Sequence, residues 1–196
     1  MELSFAALMP LVRESFRAPR ATFARILGMA PSLEARVLAA AAITVLSALI
    51  GHLANILFPL PVETAFTWAT TSPLRLLLVQ GLMVGYTVAA VTVVGRMFGG
   101  KAAAHDVLLL VVWIEFILLI VQAVQLVMMV LFPLVATLAG IASVGVFFWL
   151  LTHAVAVLHG FSRLPLIFLG ILGTIFVSAL GLSFLLALLG FPALEM

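Results

Sequence analysis

Cysteine is absent from this chain. That excludes a disulfide, a thiolate nucleophile and a thiol-ligated metal, and leaves the redox compartment open. Charge is scarce: 8% of the 196 residues are Asp, Glu, Lys or Arg, against about 25% in a soluble domain. A chain this poor in charge cannot cover itself with a polar shell, so its solvent is lipid. Lys101 is the only lysine, and the arginines are spread along the chain. No basic run of the kind that binds nucleic acid occurs, and no nucleic-acid partner is expected. No strand is evident, which removes the setting for a Gly-rich phosphate loop. The opening, MELSFAALMPLVRESFRAPRATFARILG, begins with Glu2 and mixes arginine into its apolar residues. A cleavable secretory signal has its charge, apolar core and cleavage site in a different order.

What is present is hydrophobic: 66% of residues, with a mean hydropathy of +1.40 and a pI near 9.9. About 20 apolar residues are needed to cross a bilayer as a helix. Five segments qualify, at 36–58, 74–98, 107–131, 134–158 and 164–189. The expected fold is all-α: a leading segment, residues 1–35, followed by a five-span transmembrane domain, residues 36–196. Phe132-Pro133 is so short a break that spans three and four form a tight antiparallel hairpin. A single kinked arrangement over 107–158 is the alternative, disfavoured by its length.

Basic residues set the orientation. Arg13, Arg17, Arg20, Arg25 and Arg36 precede the first span, Arg96 and Lys101 flank the second loop, and Arg163 lies in the fourth; only Arg75 falls on the other side. The N-terminus is therefore expected in the cytoplasm and the C-terminus outside. Within the leading segment Phe5, Leu8, Met9, Val12 and Phe16 recur at helical spacing, as do Phe23, Ile26 and Leu27. Pro10 weakens the case for one unbroken helix, and Pro19 suits the first turn of a second. The expectation is two amphipathic helices in the headgroup plane, with Arg13, Arg17, Arg20 and Arg25 against lipid phosphates. A cytoplasmic cap packed on the bundle is the alternative.

An ionisable residue inside a span is a candidate site by default. Glu115 stands in the apolar run LLLVVWIEFILLIVQAVQLVMMV, about 12 Å past the expected start of its span. Gln122 and Gln125 follow near the same helix face. His153 on span four lies at a similar depth, and Arg96 can reach inward along its stem. A Glu115–His153 proton-linked or ligand-binding site is the sharper reading. A polar clasp that serves packing is the plainer and preferred one. His52 and Asn55 are expected beside Gln80, as a shallow polar pocket or, preferably, as interhelical hydrogen bonds. Gly81 and Gly85 form a small-xxx-small pair for close helix approach within or between protomers. Gly95 and Gly99 repeat the spacing, but Gly99-Gly100 reads as a helix stop. Gly140, Gly145, Gly170, Gly173 and Gly181 are further expected contact points. Trp68 is the best interfacial anchor; Trp113 and Trp149 are anchors or core fillers.

FRAPRATFARIL (16–27), GRMFGGKAAAHDVLLLVVW (95–113) and LTHAVAVLHGFSRLPLIFLG (151–170), with the five-span, N-inside topology, cover nearly the whole chain. In these the chain resembles the bacterial branch of the Yip (Ypt-interacting protein) family. Ala18 stands where the family has an acid before the proline, and the longer acidic cytoplasmic motifs of eukaryotic members are missing. The resemblance implies a membrane fold and, for a bacterial member, the inner membrane. In eukaryotic members it implies vesicle trafficking with Rab-type GTPases.

An enzyme is not expected. A serine nucleophile needs a base and oxyanion donors converging on one point, and Ser183 in GLSF stands in no distinctive serine-enzyme signature and reads as structural. His105, His153 and His159 have no metal-ligand spacing, and no cofactor or metal is expected. His105-Asp106 reads as the start of span three. A small transporter or channel built around Glu115 is the alternative function, though five spans do not divide into two equal repeats. The preferred function, leaning on the resemblance, is a non-enzymatic membrane-organising, trafficking-like or accessory scaffold. Its partners would be lipids, other membrane proteins or further copies of itself.

Overall fold

A computed structural model describes residues 5–59 and 65–188, all of them helix or connecting turn with no strand. Two short helices lead, α1 (Phe5–Arg17) and α2 (Pro19–Gly28). The spans are α3 (Leu33–Leu57), α5 (Pro73–Met97), α6 (Ala104–Leu131), α7 (Pro133–His159) and α8 (Leu164–Leu188), with a six-residue helix α4 (Ala65–Thr70) between the first two. Five helices are thus long and apolar enough to cross a membrane. Their ends fall within about three residues of those expected; residues 60–64 and residue 189 lie outside the described residues.

The punctuation is local. Pro19, Pro73 and Pro133 each open a helix, where the missing N–H is one that has no partner anyway. Ser32 caps α3, its hydroxyl accepting from the Ala35 N–H at 3.2 Å, as an N-cap serine does. Gly99 (φ 86°) and Gly160 (φ 71°) adopt the left-handed conformation at the ends of α5 and α7, which glycine enters without a Cβ penalty. Between α6 and α7 only Phe132 intervenes. That is the predicted hairpin, and its two arms make the most extensive helix contact in the molecule. α1 continues through Pro10. The backbone bond that proline forfeits falls near the start of the helix, and the following turns bury Leu11 and Ser15.

α6 is the hub, packed against α2, α3, α5 and α7, whereas α8 is held mainly by α7. One core cluster joins Val107–Ile117 of α6 and Leu150–Ala156 of α7 to Leu11 of α1 and Phe23 and Ile26 of α2. The other half of the bundle is looser, with Val124, Val127, Val130, Leu134, Leu138 and Ile141 all exposed. Apolar side chains left outward in this way are solvated by lipid, and the helices hold together by packing and interhelical polar contacts instead of by hydrophobic exclusion.

The apolar face of the leading helices is taken up by protein. Phe23 is fully buried and Ile26 and Leu11 nearly so, because that apolar face meets α6 and α7. The Trp113 indole N–H donates to the Ser15 hydroxyl at 3.0 Å, and that hydroxyl donates to the Leu11 carbonyl at 2.9 Å. Phe16 stacks on Trp149 with ring centroids 6.2 Å apart. The two helices pack on the bundle and leave Arg13, Arg17, Arg20 and Arg25 exposed, a placement compatible with a headgroup layer beside them.

Candidate functional site

α8 packs mainly on α7 and little on α5, so the three helices enclose a crevice that Glu115 of α6 also lines. Its volume is about 820 Å³, within the range of small-molecule sites. Val91, Val94, Leu151, Val155, Ile167 and Ile171 supply apolar wall. At the rim Met83, Tyr86, Leu166 and Ile175 are exposed, so the crevice opens sideways between α5 and α8. Farther along, the Tyr86 hydroxyl donates to the Ser178 hydroxyl at 2.8 Å and ties those two helices together. At the opposite end Ser162 and Arg163 form the mouth, shared with a second hollow that Arg20 lines. Arg20 Nη2 donates to the Ser162 carbonyl at 3.3 Å.

The predicted polar residues do not converge. Glu115 is half-buried, and among the described residues nothing hydrogen-bonds or ion-pairs with it; the expected clasp through a direct bond is absent. His153 is not its partner either. The His153 Nδ1 lies 2.8 Å from the Trp149 carbonyl one turn earlier, with the ring against the Trp149 indole. Gln122 instead reaches α3, its Nε2 donating to the Ser47 carbonyl at 3.2 Å. Gln125 faces α7, where a Cβ on Gly140 would meet its amide. Arg96 turns out of the bundle to close its own loop, with Nε and Nη2 both donating to the Ala102 carbonyl at 3.1 and 2.9 Å.

Contacts collect the basic residues at one end. Arg36 is buried there, donating to the Pro31 and His105 carbonyls and to Asp106 Oδ1 at 2.9 Å. Arg25 pairs with Glu14 at 3.2 Å. Arg75 lies at the opposite end, 5.0 Å over the Trp68 ring, and Trp68 is 58% exposed, as an interfacial tryptophan should be. In the same region His52 and Asn55 bond to Thr70 of α4, not to Gln80: the His52 Nδ1 is 3.0 Å from the Thr70 carbonyl.

Among the described residues, a Cβ added at Gly81, Gly85, Gly145, Gly170, Gly173 or Gly181 would meet nothing within 4 Å, whereas one at Gly140 would meet Gln125; for Gly81 and Gly85 the approach within the protomer is not what is seen, and the one between protomers is left open. The pair at 81 and 85 is therefore open surface in this protomer. Nothing local in the sequence marks a close approach at two other glycines. The His159 imidazole fills the space where Cβ atoms on Gly95 and Gly100 would stand. Its Nε2 is 3.1 Å from the Val91 carbonyl; a carbonyl only accepts, so Nε2 carries the proton. A histidine at a helix end, 59 to 64 positions from two glycines, leaves no local signal of that contact.

Catalytic geometry is not assembled from these groups. Ser183 is exposed, about 29 Å along α8 from its start, while His159 ends α7 beside that start. Among the described residues no three His, Asp or Glu side chains gather as a metal would need.

An all-helical bundle with five apolar spans, an arginine-rich end and a lateral crevice defines a multi-pass integral membrane protein. The chain belongs to the Yip1 domain family, whose sequence model matches residues 13–189. Membership supports a membrane-associated protein of trafficking type. Comparison with curated proteins and with solved structures returned no significant match.

Proposed function

We propose that this chain is a non-enzymatic membrane-organising or accessory protein, which holds lipids and other membrane proteins against its spans and presents its arginine-bearing end to the cytoplasm. One observation carries the reading: the crevice between α5 and α8 is apolar-walled and open to the side, a shape that receives membrane components and not water-soluble substrates. The polar side chains that elsewhere build active sites here hold the fold. Arg36, Arg96, His52, His153 and His159 are each engaged with backbone carbonyls. The basic asymmetry supports an N-terminus on the inner side, and the family resemblance supports the bacterial inner membrane. The open Gly81–Gly85 face suits another helix, from a partner or from a second copy.

Photo-crosslinking in native membranes tests the reading. Enrichment of a protein or lipid partner over an unrelated five-span control is expected; an identical crosslinking pattern for the two would overturn it. A transporter is the second reading, favoured by Glu115 lining the crevice. Proton or solute flux in liposomes that disappears in Glu115→Gln would establish it, and absence of flux would remove it.

A further inference from the structure

The two ends of the crevice differ in chemistry, and the difference specifies an occupant. From Arg163 to Ile175 the α8 wall extends about 18 Å at 1.5 Å per residue, comparable with one leaflet's half of a hydrocarbon core about 30 Å thick. Over that length the walls are almost wholly apolar, apart from Glu115 and a few hydroxyls. The mouth carries two guanidinium groups, Arg20 from α2 and Arg163 from the α7–α8 turn, which line one hollow continuous with the crevice through Ser162, Arg163 and Leu166. Neither arginine has a carboxylate partner among the described residues, whereas Arg25 and Arg36 do.

We infer that the crevice is a binding site for an anionic phospholipid of the leaflet on the arginine-bearing side. The phosphate would sit between Arg20 and Arg163 and one acyl chain would lie along α8 against Val91, Val155 and Ile171. The inference rests on the reading of the protein as a holder of membrane components and names the component for this site. Three features argue for a lipid over a second copy of the chain or a soluble anion. The trough is about as long as a leaflet is deep, it opens sideways where lipid stands, and its two arginines, without a carboxylate partner among the described residues, are at the headgroup level. Arginine forks suit phosphate oxygens. Arg20 also belongs to the cap and Arg163 to the bundle, so a phosphate bridging them would pin the cap to α8.

The test uses full-length protein purified in neutral detergent and native mass spectrometry with added dioleoylphosphatidylglycerol, or with phosphatidylcholine of the same chains. One phosphatidylglycerol per protomer should be retained in preference to phosphatidylcholine. Arg20→Gln with Arg163→Gln should weaken that retention roughly 30-fold, the order set by two arginines acting on an anionic headgroup. Arg13→Gln with Arg17→Gln removes the same charge from the cap away from the mouth and should change little. Gly170→Leu, at a crevice-lining position where a Cβ meets nothing within 4 Å, should block the chain and abolish retention while the melting temperature stays near the parent's. Equal retention of both lipids, an equal loss in the Arg13/Arg17 control, full competition by soluble glycerophosphate, or a dimer whose partner crosslinks into the crevice would each overturn the inference. Failure here together with enriched crosslinks in native membranes would leave the organising role standing; loss of both would remove the two together.

Discussion

At residue 95, α5 passes so close to the imidazole of His159 that no side chain fits, and at residue 100 the same ring closes off the loop. These two glycines are needed for space, while Gly99 beside them is needed for its left-handed backbone. Gly95→Ala should therefore destabilise the protein by about 1–3 kcal/mol, the usual cost of overpacking, and His159→Ala should recover much of it. A double-mutant cycle of thermal melting in detergent reads the coupling; additive losses would place the ring elsewhere. At Glu115 the expectation is the reverse. With no hydrogen-bond partner among the described residues, Glu115→Gln and Glu115→Leu should each melt no lower than the parent, since both remove an unpartnered carboxyl from an apolar setting. A large loss in the leucine variant alone would reinstate a packing role. The depth of Glu115 could be counted from the sequence because helical rise is uniform. Its neighbours could not, because helices cross: Gln122 lies near the same face of α6 yet meets α3, while Glu115 opens toward α5 and α8.

The short helices α1 and α2 illustrate the same limit at the scale of an element. An amphipathic face with arginines around it satisfies a headgroup layer and a protein surface equally well, and periodicity does not choose between them. Here the apolar face meets protein, because Trp113 offers a donor to Ser15 and because Phe23 finds space among α6 and α7. Trp113→Phe should cost about 1 kcal/mol, the worth of one hydrogen bond, and should raise protease cleavage near Pro19 before any span is affected. Unchanged cleavage would mean that the cap is held by its apolar face alone. A second clasp joins α3 to α6 through Arg36, whose side chain is 7% exposed, and Asp106, which is 36% exposed. Asp106→Asn keeps an acceptor oxygen but leaves that buried guanidinium without an opposite charge. It should lower stability by about 1–2 kcal/mol, less than a fully buried pair would lose, since water screens the aspartate. A melting shift too small to measure would assign the clasp to the carbonyls. The boundaries of the long helices, by contrast, were readable from Pro73, Pro133, Gly99 and Gly160, where the chain's own stereochemistry dictates a start or a stop.

Across the whole molecule, packing and charge are graded in the same direction. The end that carries Arg20, Arg36, Arg96 and Arg163 holds the core cluster and the cap, while the far halves of α6 and α7 stand open. Lipid as solvent permits that grading: where no water drives helices together, apolar side chains left outward carry little penalty and the far halves can stand open. The five crossings were legible because hydropathy alone decides them. The crevice was not, because it arises from α8 packing mainly on α7 and little on α5, a matter of three-dimensional neighbours. The account depends most on every basic residue but Arg75 facing one side of a membrane, and the absence of cysteine makes that directly measurable. Single cysteines at Ala24, Lys101 and Thr71 can be challenged with a membrane-impermeant maleimide on intact bacterial cells expressing the protein. The account predicts labelling at position 71 alone, with 24 and 101 reacting only after the membrane is opened. Labelling of 24 or 101 from outside, or protection of 71, would contradict it.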